Sequence, residues 1–188
     1  MKDDGSVITW GDAGGDSSEV SEQLQSGVNT IYSNSFSFAA LKDDGSVVTW
    51  GNDRDGGDSS EVSEQLQSGV NTIYSNEYSF AALKDDGSVV TWGDSNNGGD
   101  SSTVAEQLSS DVVDIFSTRT DEFSRASDGY AFAALKNDGS VITWGGERGG
   151  DSSEVAEQLR SEVIEIVSNT YGFAALKQDG SVVKVPAS

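Results

Sequence analysis

Ala40-Leu41-Lys42-Asp43-Asp44-Gly45-Ser46-Val47-Val48-Thr49-Trp50-Gly51 decides the fold of this 188-residue chain, because the chain repeats it. It returns at 82–93 and, nearly unchanged, at 134–145. A clipped copy opens the sequence at 1–11, and a degraded one stands at 175–185, with Lys184 and Val185 in place of Thr-Trp. Asp-Gly between two β-rich runs is a strong hairpin signal, since glycine accepts the positive φ of a tight turn. The pair recurs at Asp4-Gly5, Asp86-Gly87, Asp138-Gly139 and Asp179-Gly180. The repeated unit is therefore a hairpin, with 78–84 and 88–92 as one example of its strands.

Outward from the hairpin, each Trp-Gly leads through a short variable loop to Gly-Gly-Asp-Ser-Ser. Asp58 followed by Glu61 resembles a capping box, and Val62 with Leu66 forms one apolar stripe, which predicts one or two helical turns. Residues 70–74, Val-Asn-Thr-Ile-Tyr, read as a further strand, matched by 28–32, 112–116 and 163–167. Tryptophans 10, 50, 92 and 144 are spaced 40, 42 and 52 residues apart. Steps of about 40 to 50 residues holding several short strands suggest propeller blades.

The twelve-residue stretch resembles the regulator-of-chromosome-condensation repeat, whose signature runs Ala-Leu, two residues, Asp-Gly, a hydrophobic strand and Trp-Gly. The resemblance implies β-propeller blades, most often seven in a ring. This chain departs from the pattern before Ala-Leu, where Asn34-Ser35-Phe36-Ser37-Phe38 lacks the family's Gly and His, and after Trp-Gly, where Gly-Gly-Asp-Ser-Ser replaces Gly-Gln-Leu-Gly. The exchange-factor or chromatin role that the family suggests finds no matching residues here. The expected fold is thus all-β with short helical turns, in propeller-like blades of about 41 residues. It has four units and an extra N-terminal strand at 6–10. We read one repeat domain over 1–188, with units near 1–39, 40–81, 82–133 and 134–174 and a closing hairpin at 175–188. A small ring, a ring completed by oligomerisation and an open array all fit this count. The surplus strand either closes a ring or pairs with another molecule.

Composition narrows the function. There is no cysteine and no histidine, which removes disulfides, thiolate metal sites and Ser-His-Asp chemistry. The net charge of −21 opposes nucleic acid and anionic surfaces. It favours solubility and cationic partners. No apolar run of about 18 residues is present, so no membrane insertion is expected. Residues 1–5 pass straight into repeat sequence without a signal peptide. The compartment stays open, with an extracellular or cell-surface setting the reading carried forward.

Candidate sites are those that break the repetition. About ten residues are added between Ser117 and Tyr130. There Arg119, Asp121, Glu122, Phe123 and Arg125, with Tyr130, are the interaction candidates, since Arg and aromatics anchor interfaces. Asp53, Asp55, Asp94, Asn96 and Asp100 are calcium candidates, because calcium takes six to eight oxygens from such loops; ordinary solvated turns share that composition. The paired Asp residues before each Gly point apart and are not a catalytic pair. The repeated tryptophans fit packing between units better than a ligand platform. The expected function is a non-enzymatic structural or interaction module without a cofactor, self-associating or bound to a protein partner through its end strands and the insertion. A ligand- or calcium-binding propeller, or an enzyme with a site near the insertion, is the alternative.

Overall fold

The computed structural model describes residues 2, 4–11, 14–118, 129–147 and 149–185. The hairpins form where Asp-Gly predicts them. β2 (Ser37–Lys42) pairs with β3 (Val47–Gly51), and β5 (Ser79–Lys84) with β6 (Val89–Gly93). β8 (Ala131–Lys136) pairs with β9 (Val141–Gly145), and β11 (Gly172–Lys177) with β12 (Val182–Val185). The hairpin glycines have φ of 76–84°, and the Asp before each accepts a hydrogen bond from the backbone of the following Ser, as Asp86 does from Ser88 at 3.0 Å. The Ser hydroxyl donates to the same oxygen at 2.6 Å, and this bond first, then the backbone one, holds the turn carboxylates below the usual range.

The strand read between hairpins completes each sheet. β1 (Val28–Ser33), β4 (Val70–Ser75), β7 (Val112–Ser117) and β10 (Val163–Asn169) pair antiparallel with β2, β5, β8 and β11. The result is four three-stranded sheets, ordered β1-β2-β3, β4-β5-β6, β7-β8-β9 and β10-β11-β12. Each carries the same register shift near the start of its first strand. The helical turns are 3-10 turns at Ser18–Val20, Ser60–Val62, Ser102–Val104 and Ser153–Val155. The capping box does not form. Asp58 instead accepts from the Ser60 amide at 2.8 Å, and Ser59 stands at the cap position without a side-chain bond to the turn's backbone. With the cap at Ser59, Glu61 is the second residue of the 3-10 turn, one too early to reach back as a capping box requires.

Successive sheets pack face to face, and the same positions meet at each junction. Tyr32, Ala39, Leu41 and Val47 of the first sheet cover Ile73, Phe80, Ala82, Val90 and Trp92 of the second. Tyr74, Ala81, Leu83 and Val89 cover Ile115, Phe132, Ala134 and Trp144 of the third. Phe116, Ala133, Leu135 and Val141 cover Ile166, Phe173, Ala175, Val183 and Val185 of the fourth. The alternation of each strand therefore divides its residues between two neighbours rather than between core and water. That is why the strands read as nearly continuous apolar runs.

Trp50, Trp92 and Trp144 are buried, each stacked on a phenylalanine of the paired strand at 5.2–5.4 Å. The packing role read for the tryptophans holds for these three. Trp10 is 81% exposed.

Candidate functional site

Three regions differ from the repeated scaffold: the insertion, a loop ridge between the first two units, and the two ends. Arg119, Asp121, Glu122, Phe123 and Arg125 lie outside the described residues. Tyr130, which closes the insertion, is fully buried. Its backbone N–H donates to Asn97 Oδ1 at 2.8 Å, and its ring tilts against Tyr78 at 5.7 Å, which in turn stacks on Phe36 at 5.5 Å. Tyr130 thus belongs to an aromatic row through three units. Its ring is interior rather than an exposed anchor. The recurrence of an aromatic two residues before each strand Phe, at 36, 78, 130 and 171, is the sequence signal for this row.

The calcium candidates converge in part. Asp94 is 4% exposed and is already committed. Its Oδ2 accepts from Arg54 Nε at 2.6 Å, while Oδ1 accepts from the Asn96 amide at 2.9 Å and Asn97 Nδ2 at 3.0 Å. Asp100 turns to the Ser102 amide at 2.8 Å. Asp53 and Asn96 border the same cleft. Among the described residues no group of three or more acidic side chains is placed to hold a metal ion. Arg54, which bridges two units, supplies the positive charge beside Asp94 on this ridge.

Asp55 is buried beside it. Burial, then the charge of Asp94, pushes its carboxyl up, and Arg54 offsets this in part. A carboxyl whose folded pKa is raised costs stability when ionised, and the cost vanishes below the unfolded value near 3.8. Asp55→Asn is therefore expected to stabilise the chain at pH 7, with the gain fading as pH falls towards 4. Urea unfolding at both pH values reads this out; a gain independent of pH would show that the charge of Asp55 is not its cause.

The ends carry the larger anomaly. Among the described residues the exposed large hydrophobics are Ile8, Trp10, Val113, Ile164, Val167, Tyr171 and Val182. Val113 and Ile164 fall at the register shift, where the first two units have Asn29 and Asn71. The other five lie on the first half-unit or the last sheet. Val167, Ala174, Leu176 and Val182 occupy the positions of Tyr32, Ala39, Leu41 and Val47, the face that covers the next unit, and here Val167 and Val182 stand in solvent.

At the other end, residues 6–10 belong to none of the four sheets. Val7 N still donates to Leu24 O at 2.9 Å, as Val47 does to Leu66, and Thr9 Oγ1 meets Ser17 Oγ at 2.7 Å, as Thr49 meets Ser59. One edge of this segment is thus held as in every unit, while among the described residues no strand pairs with its other edge. The first sheet is correspondingly undercovered. An apolar cavity of about 250 Å³ lies among Val7, Ile8, Trp10, Ile31, Phe38 and Trp50. Trp92 and Trp144 donate Nε1 to Gly56 O and Gly98 O at 3.2 and 3.1 Å, whereas the buried Trp50 Nε1 has no partner among the described residues. No described helix is long and apolar enough to cross a membrane.

No protein-family model matches the chain. No curated protein matches it either. Solved structures do. Yeast RCC1 (Prp20), in a structure bound to Kap60, aligns at 16% identity and a TM-score of 0.50, over 84% of this chain and 43% of that one. Human WBSCR16 aligns at 17% identity and a TM-score of 0.45, over 84% and 47%. Prp20p from Saccharomyces cerevisiae, studied with its binding properties to Gsp1p and histones, aligns at 16% and 0.47, over 84% and 44%. The chain spans less than half the length of each. At such identity the likeness to yeast RCC1 bears on fold alone. Together with four successive three-stranded sheets of one register, it makes this chain a divergent propeller-type repeat protein with the fold of the regulator-of-chromosome-condensation repeat.

Proposed function

We propose that the chain is a non-enzymatic interaction module that associates with copies of itself through its two open ends. The observation that carries this is the match between the ends. The outer face of the fourth sheet presents, in register, the positions that cover the next sheet at three internal junctions, and the inner face of the first sheet lacks that cover. Repeat proteins bury a continuous core only by stacking neighbours, and an uncapped end is a binding surface. The charge of −21 opposes the approach of two copies, so association strengthens as salt screens it.

The insertion between Ser117 and Tyr130 is a second contact surface in this reading, with Arg119, Phe123 and Arg125 its anchors. The reading is tested by Val167→Asp combined with Val182→Asp, both at exposed positions of the outer face. The pair is expected to hold the chain at its 19.7 kDa monomer mass in light scattering, where the parent sequence is heavier. An unchanged heavier mass would remove this face from the interface.

A further inference from the structure

We infer that association proceeds by strand exchange: residues 6–10 of one copy replace β12 of the next and pair with its β11. This rests on the self-association reading and specifies its register. In every internal sheet the third strand carries Thr and Trp. Thr49, Thr91 and Thr143 bond the following loop, at Gly57 O, Gly99 O and Gly150 O, at 2.9–3.0 Å. The Trp stacks on the strand partner's Phe. β12 has neither residue. It is the shortest strand among the described residues, and it sets Val185 opposite Phe173 and Lys184 opposite Ala174.

The missing residues exist at the other end of the chain. Residues 6–10 are Ser-Val-Ile-Thr-Trp, the sequence of a third strand, and among the described residues they pair with no strand. Placed against β11 in the common register, Val7 faces Leu176, Ile8 faces Ala175, Thr9 faces Ala174 and Trp10 faces Phe173. Gly149 lies against the Phe173 ring as Gly56 lies against Phe80 and Gly98 against Phe132. Its carbonyl is therefore the acceptor that the Trp10 indole reaches in this register. The incoming segment keeps the bonds it has already, since Thr9 to Ser17 and Val7 to Leu24 lie on its other edge. Ladder hydrogen bonds lost with β12 are replaced one for one, and the net change is the burial of Trp10. The same event brings β10 and β11 of the accepting copy over Ile31, Phe38 and Trp50 of the copy that donates residues 6–10, where the cavity stands. The occupant is thus a second copy, because its own fourth sheet carries the face that fills this position three times inside each chain.

The test reads mass by light scattering and tryptophan accessibility by acrylamide quenching on the same samples. For the parent sequence, one tryptophan of four is expected to be quenchable in dilute monomer, and it becomes protected as mass rises. Trp10→Ala, at an exposed side chain, is expected to weaken association about 100-fold. Lys184→Thr with Val185→Trp completes β12 within its own chain. It is expected to return the mass to 19.7 kDa and to leave Trp10 quenchable. If that double variant assembles as the parent does, or Trp10→Ala assembles unchanged, strand exchange is wrong while self-association stands. If the parent remains at monomer mass at every concentration, both are wrong.

Discussion

Trp92→Ala is expected to lower the free energy of unfolding by about 3–5 kcal/mol, while Trp10→Ala changes it by less than about 0.5 kcal/mol in the dilute monomer. The two residues occupy one repeat position, within Thr-Trp-Gly in both cases. Their surroundings differ. Trp92 is 4% exposed, stacks on Phe80 at 5.2 Å with an interplanar angle of 19°, and donates Nε1 to Gly56 O. Its removal opens a cavity at the junction of the first two sheets and leaves that carbonyl without the indole. Among the described residues no strand pairs with the segment that carries Trp10. Urea unfolding of both variants checks the contrast, and equal costs would mean that Trp10 is packed in solution.

Gly98→Ala is expected to cost about 2–4 kcal/mol, from two sources. Its φ is +93°, which an L side chain adopts at a cost. An added Cβ would also stand 2.7 Å from Cδ2 of Phe132, a ring that is fully buried and stacked on Trp144. The ring cannot move aside without disturbing the junction between the second and third sheets. Gly180→Ala separates the two sources. Its φ is +84° but nothing lies within 4 Å of the added atom, so only the backbone part, about 1–2 kcal/mol, remains. Thermal or urea unfolding measures both, and an equal loss at the two sites would show that the Phe132 contact relaxes freely.

The strands and hairpins were legible because their signals are local. Asp-Gly fixes the turn, and the runs ending in Leu-Lys and Trp-Gly fix the strands on each side. The first strand of each sheet was legible from Val-x-x-Ile-Tyr and its counterparts. Relations between units were less so. Arg54 reaches Asp94, and Tyr74 donates to Asp114 at 2.8 Å, each across 40 residues of sequence. A carboxylate in a Gly-Asn-Asp loop has the same composition whether it binds a cation, caps a turn or pairs with an arginine of the next unit, so Asp94 and Asp100 could not be sorted by sequence. Tyr130 read as part of the insertion because the added residues hide its alignment with Phe36 and Tyr78. The degraded β12 and the unpaired 6–10 segment, by contrast, were visible as breaks in the repetition, and the open ends of the structure coincide with them.

If the two ends are halves of one junction, copies of the chain join end to end. Light-scattering mass of the parent chain over a concentration series, at low salt and at about 1 M salt, where the Debye length falls to about 3 Å, reads this out. The expected result is a mass that rises above 19.7 kDa with concentration, and at lower concentration in the high-salt series. A mass fixed at 19.7 kDa throughout both series would contradict it.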